Sequence, residues 1–373
     1  MKKNITIAAL LILILAATLA GCTSTVGASS SWPGISVGDD LAVVSYGYQL
    51  YALNVQNGSK VWAFPAVQEK NVIFYAPVEF AENMVIAGDY VHNLYAVNSD
   101  NGSLIWKFDG AKSRYVTSAF YKNGTTYAPN ADKKLYVLNQ NGTLQWVFQT
   151  DGPNWSKPVA DDQYLYLASM DHHIYALNLN YSVSDLVADK EGTRNMVERP
   201  IWKTDLGTAI VSDPLLADGF LYVGTIDGKM FKVNASTGDI VWTYEGETKI
   251  KSIWTKPIIL DGVLFFATED GYIFALDSET GTSVWDSPMA TGSQIVASGV
   301  ILTNSVGFGT IDGKFVIVDK DQVTSPSLSR AGSIYTAPIF KDGKLYLMMV
   351  NGEKLVYALD ENGREFWSFS TEE

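Results

Sequence analysis

The chain has 373 residues, 47% hydrophobic and 18% charged, with 27 Lys and Arg against 40 Asp and Glu and a net charge of −13. This apolar content can build a core and rules out a disordered chain, while the acidic balance repels phosphate backbones and argues against nucleic acid as a partner. One cysteine and three histidines exclude an internal disulfide, a Cys-x-x-Cys motif and a thiolate metal site, and no metal is expected.

At the N-terminus, Lys2 and Lys3 precede an apolar run from Ile5 to Ala20 broken only by two threonines, and Leu19-Ala20-Gly21-Cys22 closes it. The run is shorter than the ~20 residues of a membrane span but suits a secretory signal. Small residues ahead of a cysteine resemble the lipobox of prokaryotic lipoproteins, which implies cleavage before Cys22 and acylation of that residue. The expected organisation is a signal peptide over 1–21, an acylated cysteine with a Ser/Thr/Gly tether over 22–31, and one folded body over 32–373. Loss of the leader leaves 25 basic and 40 acidic residues, a net charge of −15. Such a protein attaches to an envelope membrane through lipid and does not span it.

The body repeats. Tyr51, Tyr95, Tyr136, Tyr175, Phe231, Phe274, Val316 and Tyr357 occupy one aligned position, separated by 44, 41, 39, 56, 43, 42 and 41 residues. Most units then continue through a turn to a tryptophan: Trp62, Trp106, Trp146, Trp202, Trp242, Trp285 and Trp367. Unit four reaches its tryptophan late, unit five has Lys232 where others have alanine, and unit seven has Ser327 at the tryptophan position. Eight units of this length match the propeller-blade period. Within each, short alternating runs bounded by Asp-Gly, Asn-Gly or Thr-Gly predict four strands, A to D from the axis outward. No stretch keeps a helical period over three turns. The expected fold is all-β: an eight-bladed propeller of four-stranded antiparallel blades.

The pattern Ala-x-Asp/Asn-x-x-Thr/Asn-Gly-x-x-x-Trp is carried by Ala52 to Trp62, Ala96 to Trp106 and Ala275 to Trp285. It resembles the tryptophan-docking repeat of pyrroloquinoline quinone (PQQ)-type propellers. The resemblance implies that the tryptophans are structural, docking between neighbouring blades. Quinoprotein dehydrogenases with this repeat are implied to carry PQQ, a calcium or lanthanide ion, a catalytic aspartate and a disulfide between adjacent cysteines. This chain has Cys22 alone, so no catalytic residue is assigned and PQQ is not expected. By size and lipid anchoring it is more similar to the BamB family of outer-membrane assembly lipoproteins. That likeness implies a non-catalytic scaffold whose partners are envelope proteins, including membrane-protein assembly components.

Chain reversal at each hairpin puts A–B and C–D turns on one face and B–C and D–A connections on the other. Aligned on the strand A prolines, the D–A connections place Trp32, Phe74, Trp155, Trp254 and Tyr335 three residues ahead of proline or its equivalent. Lys157, Asp213 and Lys256 directly precede proline in three consecutive units. These residues form a candidate mouth for a peptide, a sugar or a planar ligand; the competing reading is that the aromatics pack between blades. His92, His172 and His173 fall in B–C turns and are expected to be exposed turn residues. Asp39-Asp40 and Asp161-Asp162 fall in A–B turns and read as turn chemistry, not acid–base pairs. The stretch from Asn178 to Trp202 is ~16 residues longer than the usual C–D turn, with a short helical turn expected over Ser184–Lys190. Asn-x-Ser/Thr sequons recur at Asn57, Asn101, Asn123, Asn141, Asn154, Asn180 and Asn234, most of them a by-product of Asn-Gly turns.

Overall fold

Short strands separated by turns with left-handed backbone can build only hairpins, and hairpins buried on both faces must stack. A computed structural model describes residues 33–373 except 191, 193, 247–249 and 372–373. The leader, Cys22, the tether and Trp32 lie outside the described residues. Among the described residues eight sheets, each antiparallel through its four blade strands, follow one another along the chain and form an eight-bladed β-propeller. Blade 1 comprises strands Gly34–Val37, Leu41–Tyr46, Gln49–Asn54 and Lys60–Phe64, and each later blade likewise draws its A to D strands from one continuous stretch. Strands B and C are the buried ones: the B strands Met84–Gly88 and Val263–Ala267 have every residue inside, and the C strand Leu94–Asn98 all but its last. Among the described residues no helix is long and apolar enough to cross a membrane.

The cores lie between blades. Val43, Leu50, Ala52 and Trp62 of blade 1 pack on Phe74, Val85, Tyr95 and Val97 of blade 2. The tryptophans pin these seams through one repeated bond, in which the indole N–H donates to the carbonyl just after strand C of the next blade. Trp62 donates to Ser99 at 2.7 Å, Trp106 to Gln140 at 3.0 Å, Trp202 to Ala235 at 3.1 Å and Trp285 to Lys320 at 2.8 Å. Trp367 closes the ring with the same bond to Val55 at 3.0 Å. Across that seam Lys341 pairs with Asp39 at 2.7 Å, and Tyr346, Val356 and Phe369 share a core with Ile35, Val44 and Tyr51. Closure therefore rests, among the described residues, on side chains and a few hydrogen bonds between blades 8 and 1, with no strand exchanged between them.

Trp146 of blade 3 makes no such bond among the described residues, Tyr127 Oη lying 3.5 Å from the equivalent carbonyl, Leu179 O, and blades 5, 7 and 4 depart in other ways. In blade 5 the acceptor that Trp242 would use, Ser278 O, is taken by the buried Lys232 ammonium at 3.0 Å and by Tyr222 Oη at 3.1 Å, leaving Trp242 Nε1 buried without a partner among the described residues. Lys232 also sits 4.2 Å from the Phe220 ring centroid. A buried ammonium with one carbonyl acceptor is costly. Lys232→Met, which keeps the volume and returns Ser278 O to Trp242, is expected to raise stability by about 1 kcal/mol. Urea unfolding checks this, and a loss would mean that the ring contacts outweigh desolvation.

In blade 7 the role of the missing tryptophan passes to Leu328, one residue beyond Ser327. A strand C–D register shift turns it inward, where it meets Gly363 of blade 8.

In blade 4 the long C–D connection does not form the expected helical turn over Ser184–Lys190. Only Val183–Asp185 is helical, a single 3₁₀ turn; Leu186–Ala188 and Arg194–Val197 are strands. They add to the outer edge of blade 3, Val147 pairing in parallel with Met196 and Phe148 with Val197. Leu186 and Val197 bury apolar surface there, and Tyr181 meets Trp146 edge-on at 5.2 Å. Apolar residues spaced for a sheet edge explain why strand pairing wins over helix.

Candidate functional site at the channel mouth

The innermost strands set the mouth. Strand A begins with residues whose side chains alternate between the blade seam and the channel, so their register decides which residues reach the axis. Pro158, Pro214, Pro257 and Pro338 stand four residues before the first residue of the A–B turn, whereas Pro77 stands five before Glu82. Alignment on proline is thus one residue out in blade 2. Phe74 is fully buried and packs edge-on against Tyr95 and tilted against Phe64, in the seam position held elsewhere by Tyr115, Ile210, Ile253, Ile295 and Ile334. The expectation that Phe74 belongs to the mouth is corrected: Tyr75 takes the position equivalent to Trp155, Trp254 and Tyr335. All four are half-buried. Blades 3, 5 and 7 carry Val116, Val211 and Val296 at that level.

The aromatics continue outward as a chain of contacts. Tyr75 meets Tyr90 edge-on at 4.9 Å, and the Arg114 guanidinium lies 5.4 Å from the Tyr90 ring and 5.9 Å from that of Trp155. Arg114 is exposed and forms no ion pair among the described residues. Trp155 Nε1 is buried and has no acceptor among the described residues. Sequence reasoning passed over Tyr75, Tyr90 and Arg114; the run Ile73-Phe74-Tyr75 carries two aromatics, and only the strand register tells them apart.

Two residues deeper lie the charges. Lys157 Nζ reaches past blade 3 to Glu79 Oε2 at 2.6 Å, while Glu79 Oε1 accepts the Tyr121 N–H at 3.0 Å. Asp213 Oδ1 accepts the backbone N–H of Lys157 at 2.6 Å, and the Lys256 N–H donates to Ser298 Oγ at 2.8 Å. These bonds tie strand A of blades 2 to 3, 4 to 5 and 6 to 7, so the polar groups stitch the ring as well as line it. The structure thus brings Lys157, Asp213 and Lys256 together and adds Glu79.

Burial raises the Asp213 carboxyl above its usual range, against the Lys157 N–H and the two lysines, which favour the charged form. Burial also lowers the Lys256 ammonium, again the dominant cause, against attraction from Asp213. A raised carboxyl pKa means the folded state holds its proton longer than the unfolded chain. Its contribution to stability then falls as pH rises from about 4 through the raised pKa. Asp213→Asn, which keeps the acceptor for Lys157 N–H, is expected to gain stability relative to the unmodified chain over that interval and to lose the pH slope. Parallel pH profiles for the two proteins would overturn this assignment.

The remaining candidates are structural. Asp89 accepts the His92 N–H at 2.7 Å, His172 takes a left-handed turn conformation, and His173 Nδ1 lies 2.8 Å from Asp171 O. Asp161 caps its own turn through Gln163 and Tyr164 and accepts Tyr166 Oη at 2.6 Å. Among the described residues, no group of three or more His, Cys, Asp or Glu is placed to hold a metal ion. The charges at the axis are two lysines and two separately engaged carboxylates.

A second concavity escapes sequence reading. Strand D of blade 6 is reduced to Met289–Ala290, because Asp286-Ser287-Pro288 loops away from strand C. The gap leaves a cleft of about 920 Å³ between the outer parts of blades 5 and 6, lined in part by Tyr244, Phe274, Trp285 and Lys251. Pro288, which cannot donate to a strand ladder, was its visible signal.

With this geometry in place, the relatives can be compared. The family of the outer membrane protein assembly factor BamB matches residues 23–146, 92–182 and 197–323. The chain belongs to the BamB family. BamB from Moraxella catarrhalis superposes with a TM-score of 0.70 at 17% identity, covering 85% of this chain and 93% of that one. The computationally designed Ika8 protein superposes with a TM-score of 0.69 at 16% identity, covering 88% and 96%. Likeness at these identities carries the fold alone, since a designed propeller fits as well as a BamB. No curated protein sequence matches significantly.

Proposed function

We propose that the protein is a non-catalytic propeller scaffold, held at an envelope membrane by acylated Cys22, that binds components of a membrane-protein assembly machinery. The observation that carries this reading is the BamB family match over most of the chain. That match begins at residue 23, directly after the cysteine of the lipobox-like sequence. The channel charges support it, because Glu79, Lys157 and Asp213 bind other blades and so serve the ring. A rigid ring offers fixed loops for a partner at little ordering cost. The test is affinity recovery after mild crosslinking from the native envelope, with Cys22→Ala alongside. The reading expects a stoichiometric complex containing barrel-assembly components, and loss of Cys22→Ala from the membrane fraction. Recovery of the protein alone would overturn it.

One observation favours a second reading, a small-molecule or glycan site at the mouth: the half-buried Trp155 ring stands with Tyr90 beside the exposed Arg114 guanidinium. Trp155→Ala with Trp254→Ala would then abolish ligand-induced stabilisation by sugars or planar ligands while leaving the fold intact. Unfolding of that variant would assign both rings to the structure.

A further inference from the structure

We propose that Asn57, Asn101 and Asn141 are N-glycosylated, and that Asn154 and Asn234 are not. The inference rests on the exported reading above, because the modification requires passage through the membrane.

The structure divides the sequons. Asn154 is fully buried in the D–A segment, where its Oδ1 lies 3.2 Å from Thr150 Oγ1. Asn234 is half-buried and closes its own turn, Oδ1 accepting from the N–H groups of Ser236 and Thr237. Asn57, Asn101 and Asn141 are instead exposed, at corresponding places in the C–D turns of blades 1, 2 and 3. Antiparallel alternation puts all three on one face of neighbouring blades.

Turn chemistry accounts for the Asn-Gly steps but not for the residue that follows. In these turns the third residue works through its backbone: Asn54 N–H donates to Ser59 O, Asn98 to Ser103 O and Asn139 to Thr143 O, at 2.8–3.0 Å, while the N–H groups of Ser59 and Ser103 donate to Asn57 and Asn101 Oδ1 at 2.9 Å and that of Thr143 to Asn139 Oδ1 at 3.0 Å. Blades 5, 6 and 8 make the same bond with Asp239, Thr282 and Arg364, so the fold accepts very different side chains there. Ser59 and Ser103 are exposed and Thr143 is half-buried, and the hydroxyls of all three enter no hydrogen bond among the described residues. A hydroxyl two residues after an exposed turn asparagine, recurring in three blades without a structural task, is what the sequon requires. Asn123 and Asn180 are exposed as well, but Ser182 Oγ is engaged by Asp185, so the same argument does not reach Asn180, and the Asn123 turn is of the A–B type.

The chemistry needs a sugar carried on a lipid phosphate or pyrophosphate. Asn Nδ2 forms a bond to the anomeric carbon, the bond from that carbon to the phosphate oxygen breaks, and the lipid phosphate departs. The amide gives up one proton to the transferase's base. Glycans so placed would bar a partner from this face of blades 1–3 and direct docking to the mouth or to blades 5–8.

The test is peptide mass spectrometry of the protein purified from its own envelope, reading Cys22 and the sequons in one digest. Glycan mass on at least two of the Asn57, Asn101 and Asn141 peptides, and none on Asn154 or Asn234, is the expected result. Ser59→Ala should remove the glycan at Asn57 alone and leave the melting temperature of the protein unchanged. Unmodified asparagines in a chain whose Cys22 is acylated would overturn the inference while the export reading stands. An uncleaved leader with an unmodified Cys22 would overturn both. Modification at Asn154 or Asn234 would also sink it, since burial would then not be what decides.

Discussion

Trp367→Ala is expected to destabilise the protein by about 3–5 kcal/mol, with the damage beginning at the seam between blades 8 and 1. Trp367 is buried, its N–H bonds Val55 O across the seam, and its ring meets Tyr346 edge-on at 5.9 Å. Every other seam is also crossed by the continuous chain, so a lost indole there weakens two blades that remain tethered. At this seam only side chains, hydrogen bonds and the Lys341–Asp39 pair hold the ring shut, and an exposed pair of that kind contributes little. Amide hydrogen exchange should therefore accelerate first in Gly34–Tyr46 and Val356–Phe369. Trp242→Ala is the control, because Trp242 lacks the carbonyl bond and its seam is chain-tethered. Trp367→Phe should cost roughly 1–2 kcal/mol, the share of the hydrogen bond and the lost ring. A loss under about 1 kcal/mol for Trp367→Ala, or exchange spread evenly over the blades, would show that closure rests elsewhere.

The fold was legible because its repeat is a repeat of contacts. An indole, a left-handed turn residue and a carbonyl recur together, and each leaves a letter in the sequence: Trp, Gly and the Asn or Asp that opens the turn. Where one contact is made by a different letter, the reading fails. Leu328 fills the tryptophan's place only because a bulge shifts strand D, and a bulge has no letter of its own. Gln322 holds at φ 61 the left-handed position that glycine holds in most other blades. The added hairpin of residues 186–197 was visible as length but not as structure, since its pairing partner, strand Leu144–Gln149, belongs to the previous blade. At the mouth, proline served as a marker of register, and in blade 2 the marker sits one residue early. A one-residue error in a strand exchanges faces, which is why Phe74 was placed at the axis and Tyr75 overlooked. Lys157, Asp213 and Lys256 were grouped because they precede proline in blades of the common register. Glu79 was not, because its link to Lys157 spans two blades and no spacing predicts it.

The glycine of the docking turn carries the second large effect. An ideal Cβ on Gly102 would lie 2.8 Å from two atoms of the Trp62 ring, and the backbone there has φ +70. The same arrangement puts Gly142 under Trp106, Gly238 under Trp202, Gly281 under Trp242 and Gly58 under Trp367. Glycine is thus required twice, for the left-handed turn and for the flat approach of the indole. Gly219 separates the two demands, because its φ is +79 but nothing lies within 4 Å of its would-be Cβ. Gly219→Ala should cost about 1 kcal/mol, the backbone term alone. Gly102→Ala adds displacement of a buried ring and strain on the 2.7 Å bond from Trp62 to Ser99, and should cost about 2–4 kcal/mol in all. Denaturant unfolding of the two variants gives the difference directly. Equal losses would mean that the indole yields freely and that the Asn-Gly and Thr-Gly turns are conserved by backbone geometry alone within this chain's repeats. A larger loss at Gly102 would tie the motif to the seam, and with it the stiffness that lets a ring of separate blades hold its loops in fixed positions for a partner.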